Sequence, residues 1–292
     1  MKSVGIVTDS YSGIKPKQAK EMGIIVLPMP FYVDDQCFYE EVSITREEFL
    51  AELESGKKVS TSQPSPADVM DYWKKGLETN DEILYFPLTS GLSGSCNTAK
   101  MLAQDEEFEG KVFVVDNGRI ATPMHRAILD AVELIEEGYG AADIKEMLEE
   151  AKDKMSIYIA VETLEYLKKG GRVTPATAAL GSVLNIKPVL GLDLGLLETH
   201  KKCRGMKKAK KEMLESMKHD FETRFKEYYD SGEIYLLVAS SADEETTKAW
   251  IEEIEAYFPG MKVQCDNLTL GICCHTGPGA LGIGCSCRPK RK

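Results

Sequence analysis

Four segments carry residue types that could do chemistry. Ser60-Thr61-Ser62-Gln63-Pro64-Ser65-Pro66 sets three hydroxyls in a row before two prolines. The prolines keep Gln63 and Ser65 extended, and stiff donors lose little order when a ligand arrives. Ser65 alone suffices to cap a helix that starts at Pro66, which leaves Thr61 and Ser62 without a structural task. Ser90-Gly91-Leu92-Ser93-Gly94-Ser95 follows an apolar run and opens a helical pattern. Backbone N–H groups at such a turn point outward and the helix dipole favours an anion; simple capping is the plain alternative. His275-Thr276-Gly277-Pro278-Gly279 presents an imidazole in a glycine-rich bend. Finally, Lys168-Lys169-Gly170-Gly171-Arg172 and the run 201–211, with seven Lys or Arg, concentrate cations in an acidic chain. A solvated helix face accounts for Lys207 to Lys211. It accounts less well for Arg172 and Arg204, which stand beside glycine in expected turns and offer paired donors suited to phosphate or an acidic partner.

Other chemistries fit the spacing less well. Ser93, His275 and an aspartate such as Asp9 would make the alternative, a serine hydrolase. The nucleophile elbow G-x-S-x-G requires glycine where Gly91-Leu92-Ser93-Gly94-Ser95 has Ser95. Gly277-x-Gly279-x-x-Gly282 has the form of a dinucleotide fingerprint, but only ten residues follow it and they read as strand and tail. No G-x-x-x-x-G-K-[ST] loop is present. Five of the eight cysteines crowd positions 265–287 without zinc-site spacing. They read as reduced, small core residues alternating within strands, so neither a metal nor a cofactor is expected.

The elements that must position these groups alternate in type. Runs at 4–8, 24–27, 83–88 and 112–115 read as strands, separated by helical patterns, up to about residue 157. Thr45 with Glu48 forms a capping box, and Ser65-Pro66 opens the next helix. This grammar predicts a mostly parallel, Rossmann-like sheet whose strand ends carry Asp9, Ser10 and the Thr89–Ser95 loop. The second half predicts a smaller α+β domain with a mixed sheet. It has a strand at 157–161, a helix at 175–184, a hairpin about Asp193-Leu194-Gly195, a long helix at 206–229 and closing strands at 263–268 and 280–285. The expected domains are 1–158 and 159–287.

The 292 residues suffice for two cores, and 43% hydrophobic with 28% charged residues is a soluble globular profile. A net charge of −11 argues against a nucleic-acid partner. The N-terminus reads as a first strand with no leader, and no apolar run is long enough to span a bilayer, so a cytoplasmic protein is expected.

In order and content these motifs resemble the DegV family. The matching segments are Val7-Thr8-Asp9-Ser10, Thr61-Ser62-Gln63-Pro64-Ser65-Pro66, Ser90 to Ser95, Gly170-Gly171-Arg172-Val173, Asn185-Ile186-Lys187-Pro188 and His275 to Gly279. The resemblance implies a non-enzymatic carrier that encloses one long-chain fatty acid between two α/β domains. It implies presentation of the acyl carboxylate to a bacterial fatty acid kinase, the subunit that would carry the phosphoryl chemistry. It places Thr61, Ser93 and His275 on the carboxylate, with Ser62 beside them, and Arg172 and Arg204 at the kinase contact or the phosphoryl group. Transient contact with a membrane surface is compatible with such a carrier. Burial of an acyl tail at about 0.8 kcal/mol per methylene rewards full enclosure.

Overall fold

The β-branched run near the N-terminus forms the first strand. In the computed structural model, which describes residues 2–182, 186–192 and 195–292, the chain opens with β1 (Val4–Asp9), α1 (Pro16–Met22) and β2 (Ile25–Leu27). There follow β3 (Phe31–Val33), β4 (Gln36–Phe38), α2 (Arg46–Glu54) and β5 (Val59–Thr61), then α3 (Pro66–Leu77), β6 (Glu82–Phe86), α4 (Ser95–Leu102), β7 (Val112–Val114), α5 (Ala121–Glu136) and α6 (Ala141–Glu150). The remainder begins with β8 (Met155–Ala160), α7 (Glu165–Gly170), α8 (Pro175–Ala178), β9 (Ile186–Leu192) and β10 (Leu197–Arg204). It ends with α9 (Met206–Glu222), α10 (Lys226–Ser231), β11 (Ile234–Ser240), α11 (Glu244–Tyr257), β12 (Val263–Asn267), α12 (Leu270–Thr276) and β13 (Leu281–Cys287).

Two units result. The first comprises Met1–Pro30, Thr61–Asp153 and Pro289–Lys292; the second comprises Phe31–Ser60 and Lys154–Arg288. The first unit is a four-stranded, wholly parallel sheet in the order β2-β1-β6-β7. Alternate strand residues face opposite ways. Ile6, Leu84 and Phe86 pack with α5 and α6 through Ile128, Leu134, Ile144 and Leu148. Val7, Ile83 and Tyr85 pack with α3 and α4 through Val69, Trp73 and Ala99. Trp73, fully buried, meets Tyr85 and Phe108 edge-on at 5.3 and 5.2 Å, each contact adding about 0.5–1.5 kcal/mol beyond the area buried.

The second unit holds a six-stranded mixed sheet, β10-β9-β8-β13-β11-β12, in which only the β11–β12 pair is parallel. Helices α9 and α11 cover one face through Met213, Met217, Phe221, Trp250 and Ile254. The buried Asp220 on α9 accepts the hydroxyls of Ser156 and Tyr158 at 2.5 and 2.7 Å, so the helix is tied to β8 by charge-assisted bonds. A small three-stranded sheet, β4-β3-β5, is formed by the Phe31–Ser60 segment together with Thr61, the last residue of β5.

The expected fold class, a parallel α/β domain followed by an α+β domain with a mixed sheet, is the one observed. The observed units differ from 1–158 and 159–287 because Phe31–Ser60 joins the second. Two side chains tie it there: Arg46 donates to the Leu268 carbonyl at 2.8 Å, and Glu40 accepts the Leu270 N–H at 2.8 Å. The helix expected over 206–229 is two, α9 and α10, broken at Thr223. Cys273 and Cys274 lie in α12 and not in a strand. All eight cysteines are free thiols. The motif residue Asn185 and the turn residues Asp193 and Leu194 lie outside the described residues.

Candidate ligand site

In the first unit β1 is followed by β2 on one side and by β6 on the other, which makes the C-terminal ends of β1 and β6 a topological switch point. Asp9 closes β1 there, fully buried. Its carboxylate accepts the Tyr11 N–H at 2.9 Å and the Leu88 N–H, just past β6, at 2.6 Å. Burial pushes its carboxyl up to about 7, against the two N–H groups that favour the ionised form. The next residues form the predicted hydroxyl loop. The Thr89 carbonyl accepts the N–H groups of Leu92 and Ser93 at 3.1 and 3.2 Å, and its hydroxyl oxygen accepts the Gly91 N–H at 3.3 Å. Ser90 is drawn inward: its hydroxyl and N–H both donate to Asp116, at 2.7 and 3.3 Å.

Ser93 is oriented differently. It is half-buried, and its Oγ accepts the Ser95 N–H at 3.2 Å at the start of α4. An oxygen that already accepts keeps its proton to donate. Ser95, 6% exposed, carries a buried hydroxyl with no partner among the described residues. The loop thus gathers hydroxyl donors at a helix N-terminus, an arrangement suited to an anion.

The Thr61–Pro66 segment adjoins this loop. Gln63 Oε1 accepts the Thr98 hydroxyl at 3.3 Å and would lie 3.7 Å from a Cβ at Gly94. Thr61 is half-buried and Ser62 exposed, with the Ser62 N–H donating to the Pro30 carbonyl at 3.3 Å. Ser65 caps α3 by accepting the Asp68 N–H, with Pro66 in the first turn, as the sequence predicts. Gln63 is the residue whose task the sequence did not reveal: amides are common in loops, and nothing local marks this one as a bridge between two motifs.

The second unit brings His275 and Arg172 together around Gly170. His275 stands near the C-terminal end of α12 and not in an open bend. Its ring lies on Gly170, where a Cβ would fall 2.0 Å from Nδ1. The Arg172 guanidinium donates to the Gly170 carbonyl, holding its own turn. Burial, and then the Arg172 charge, lower the His275 pKa to about 4, so at neutral pH the imidazole is an uncharged donor and acceptor. Gly277 and Gly279 have positive φ (+70° and +76°), and a Cβ there would strike Tyr166 or Glu162 at 2.5 and 2.8 Å. Both glycines are needed for the close passage of this bend. Arg204 is exposed at the end of β10, where its backbone pairs with Ile186 of β9, and no hydrogen bond or ion pair engages its guanidinium among the described residues. In its own unit, Ser93 has no histidine bonded to it among the described residues, and His125 is taken by Gln18 at 2.8 Å. No group of three His, Cys, Asp or Glu side chains able to hold a metal occurs among them, nor any helix long and apolar enough to cross a membrane.

A family model described as an uncharacterised protein of the DegV family matches residues 3–287. The chain belongs to the DegV family. Among relatives, a DegV domain-containing protein of Deinococcus radiodurans is 29% identical over 282 residues, covering 96% of this chain and 97% of that one. One of Listeria monocytogenes is 34% identical over 210 residues, covering 71% and 75%. Among solved structures, a DegV family protein from Thermus thermophilus, described by its fatty acid binding, has a TM-score of 0.86 at 31% identity over 98% of this chain and 99% of that one. DegV of Bacillus subtilis, described as a fatty acid binding protein, has a TM-score of 0.84 at 26% identity over 98% and 100%.

Proposed function

We propose that this chain binds one long-chain fatty acid and presents its carboxylate to a fatty acid kinase. Support comes from the whole-chain likeness to DegV proteins described as binding fatty acids. The observation that carries the chemistry is Ser93, whose oxygen accepts from Ser95 and whose proton is therefore left to donate at a helix N-terminus. Thr61 and Ser62 supply further hydroxyls from the adjoining segment. A buried carboxylate must be hydrogen-bonded or protonated, and neutral hydroxyls meet that need without an ion pair that would hold the ligand too firmly for transfer. His275, in the other unit, is a neutral donor assigned to the carboxylate by the family resemblance. Arg172 and Arg204 serve the partner side; the exposure of Arg204 in a run of cations suits an acidic or phosphorylated contact.

Mass spectrometry of organic extracts of the purified protein tests the ligand, with one C14–C18 acid per chain expected. With delipidated protein, Thr61→Val and Ser93→Ala should each weaken palmitate binding by roughly 1.5–3 kcal/mol, the scale of a hydrogen bond to a charged group. Absence of saturable binding by wild type would remove the carrier reading. Arg172→Ala and Arg204→Ala should keep palmitate affinity and lose acyl-phosphate formation with the cognate kinase; loss of lipid binding would put that arginine in the pocket or the fold.

A further inference from the structure

The hydroxyl loop is gripped from behind by Asp116, and we propose that Asp116 is a positioning residue for carboxylate recognition, fixing Ser90 so that Ser93 and not Ser90 is presented to the ligand. This rests on the lipid reading above. Asp116 is 7% exposed, just beyond β7, where the Val115 N–H donates to the Tyr85 carbonyl at 2.9 Å and so locks its place beside β6. It takes both donors of Ser90, at 2.7 and 3.3 Å. On the other side Asp9 takes the Leu88 N–H at 2.6 Å. The stretch Leu88–Ser90 is therefore pinned at both ends by carboxylates, and the turn it begins delivers Ser93 to the start of α4.

A negative charge near an anion site opposes binding unless it is neutralised. Here Lys100 and Lys152 approach the same Asp116 oxygen at 2.9 and 3.4 Å. Burial disfavours the charged form of Asp116, but the Lys100 and Ser90 donors outweigh it and hold the carboxyl below its ordinary range. Ser90 is consequently consumed by the protein, although it stands in the same hydroxyl-rich turn as Ser93.

The two roles Asp116 could play differ in sign. If it were only a nearby charge, Asp116→Asn would release two lysines and tighten binding of an anion. If it positions the loop, the same change weakens binding. Delipidated wild type, Asp116→Asn, Asp116→Glu, Ser90→Ala and Ser93→Ala are titrated with palmitate and with its methyl ester, alongside thermal unfolding. The expected result is about tenfold weaker palmitate binding for Asp116→Asn and Ser90→Ala, from misaimed hydrogen bonds. Ester affinity should be nearly unchanged, Asp116→Glu should recover part of the loss, and Ser93→Ala made on top of Ser90→Ala should add little. Tighter palmitate binding by Asp116→Asn, equal weakening of acid and ester, or wild-type affinity in Ser90→Ala each overturns the proposal while leaving the carrier reading intact. If wild type fails to bind palmitate, the carrier reading falls and this inference with it; if Ser93→Ala binds it normally, Ser93 is not the presented donor and this inference alone falls. Should Asp116→Asn fail to fold, Ser90→Ala decides alone, because it removes one half-buried hydroxyl and no charge.

Discussion

The His275 ring packs against Gly170 from the end of α12, and that packing sets its affinity for a proton. Its place among glycines suggested an open bend, yet it stands in a helix with its ring against Gly170. The consequence is a titration. The folded imidazole has its pKa lowered from 6.5 to about 4, so below about pH 6.5 the unfolded chain binds a proton that the folded chain does not. Stability from this group is therefore present above pH 6.5 and is lost as pH falls toward 4, by at most roughly 3 kcal/mol. Urea unfolding at pH 7 and pH 5 should show a drop in wild type that is smaller in His275→Gln. In the loaded protein, a carboxylate against the ring would raise its pKa, visible as a shifted NMR titration; an unchanged titration on loading would place the carboxylate elsewhere.

Among the elements, strong local signals were readable. The Thr45–Glu48 capping box and the Ser65-Pro66 helix start are both present as the sequence predicts, because a cap is decided within four residues. Helix α12 was not readable: its seven residues hold two adjacent cysteines between Ile272 and His275 and no clear apolar period, and it is fixed by Glu40 from far away in sequence. Strands β3 and β4, three residues each, are too short for alternation to show. The fit of α7 against α12 gives a prediction with opposing terms. Gly170→Ala gains at most about 1 kcal/mol of helix propensity, because Gly170 is the last residue of α7. It also places a Cβ 2.0 Å from His275 Nδ1, and such overpacking costs roughly 1–3 kcal/mol when the ring must move. The net expectation is a lower urea midpoint together with a His275 pKa closer to its ordinary value, since the displaced ring regains water.

Across the whole molecule, the parallel sheet and the mixed sheet were legible from the alternation of strand and helix patterns, whereas the allocation of Phe31–Ser60 was not. Domain limits read from sequence assume continuity, and this segment is bound by Arg46 and Glu40 to residues more than two hundred positions on. A fragment cut at residue 158 should therefore carry a loose passenger. Phe31 and Phe49, 1% and 0% exposed in the intact chain, would lose their cover at about 1.5–3 kcal/mol each, and limited proteolysis should cleave first within 31–60. By contrast, the clusters that pack the two faces of the parallel sheet use, among the described residues, none from that segment, and Ser62 N–H reaches Pro30 O at 3.3 Å. A variant of the first unit with 31–60 replaced by a short Gly-Ser linker should fold with a cooperative transition; a molten profile would show that the segment is needed.

The same separation governs how the chain is made. Leu268 follows Ser60 by 208 residues, and β13, which lies between β8 and β11 at the heart of the mixed sheet, comes later still. At a synthesis rate of about 5–20 residues per second, the Phe31–Ser60 segment waits on the ribosome for roughly 10–40 s before its anchors exist. During that interval its aromatic side chains, Phe31, Phe38 and Phe49, have only one another for cover. Arrest of translation before residue 268 should leave that segment sensitive to protease, and arrest within a linker appended after Lys292, long enough to bring the last strand clear of the exit tunnel, should protect it.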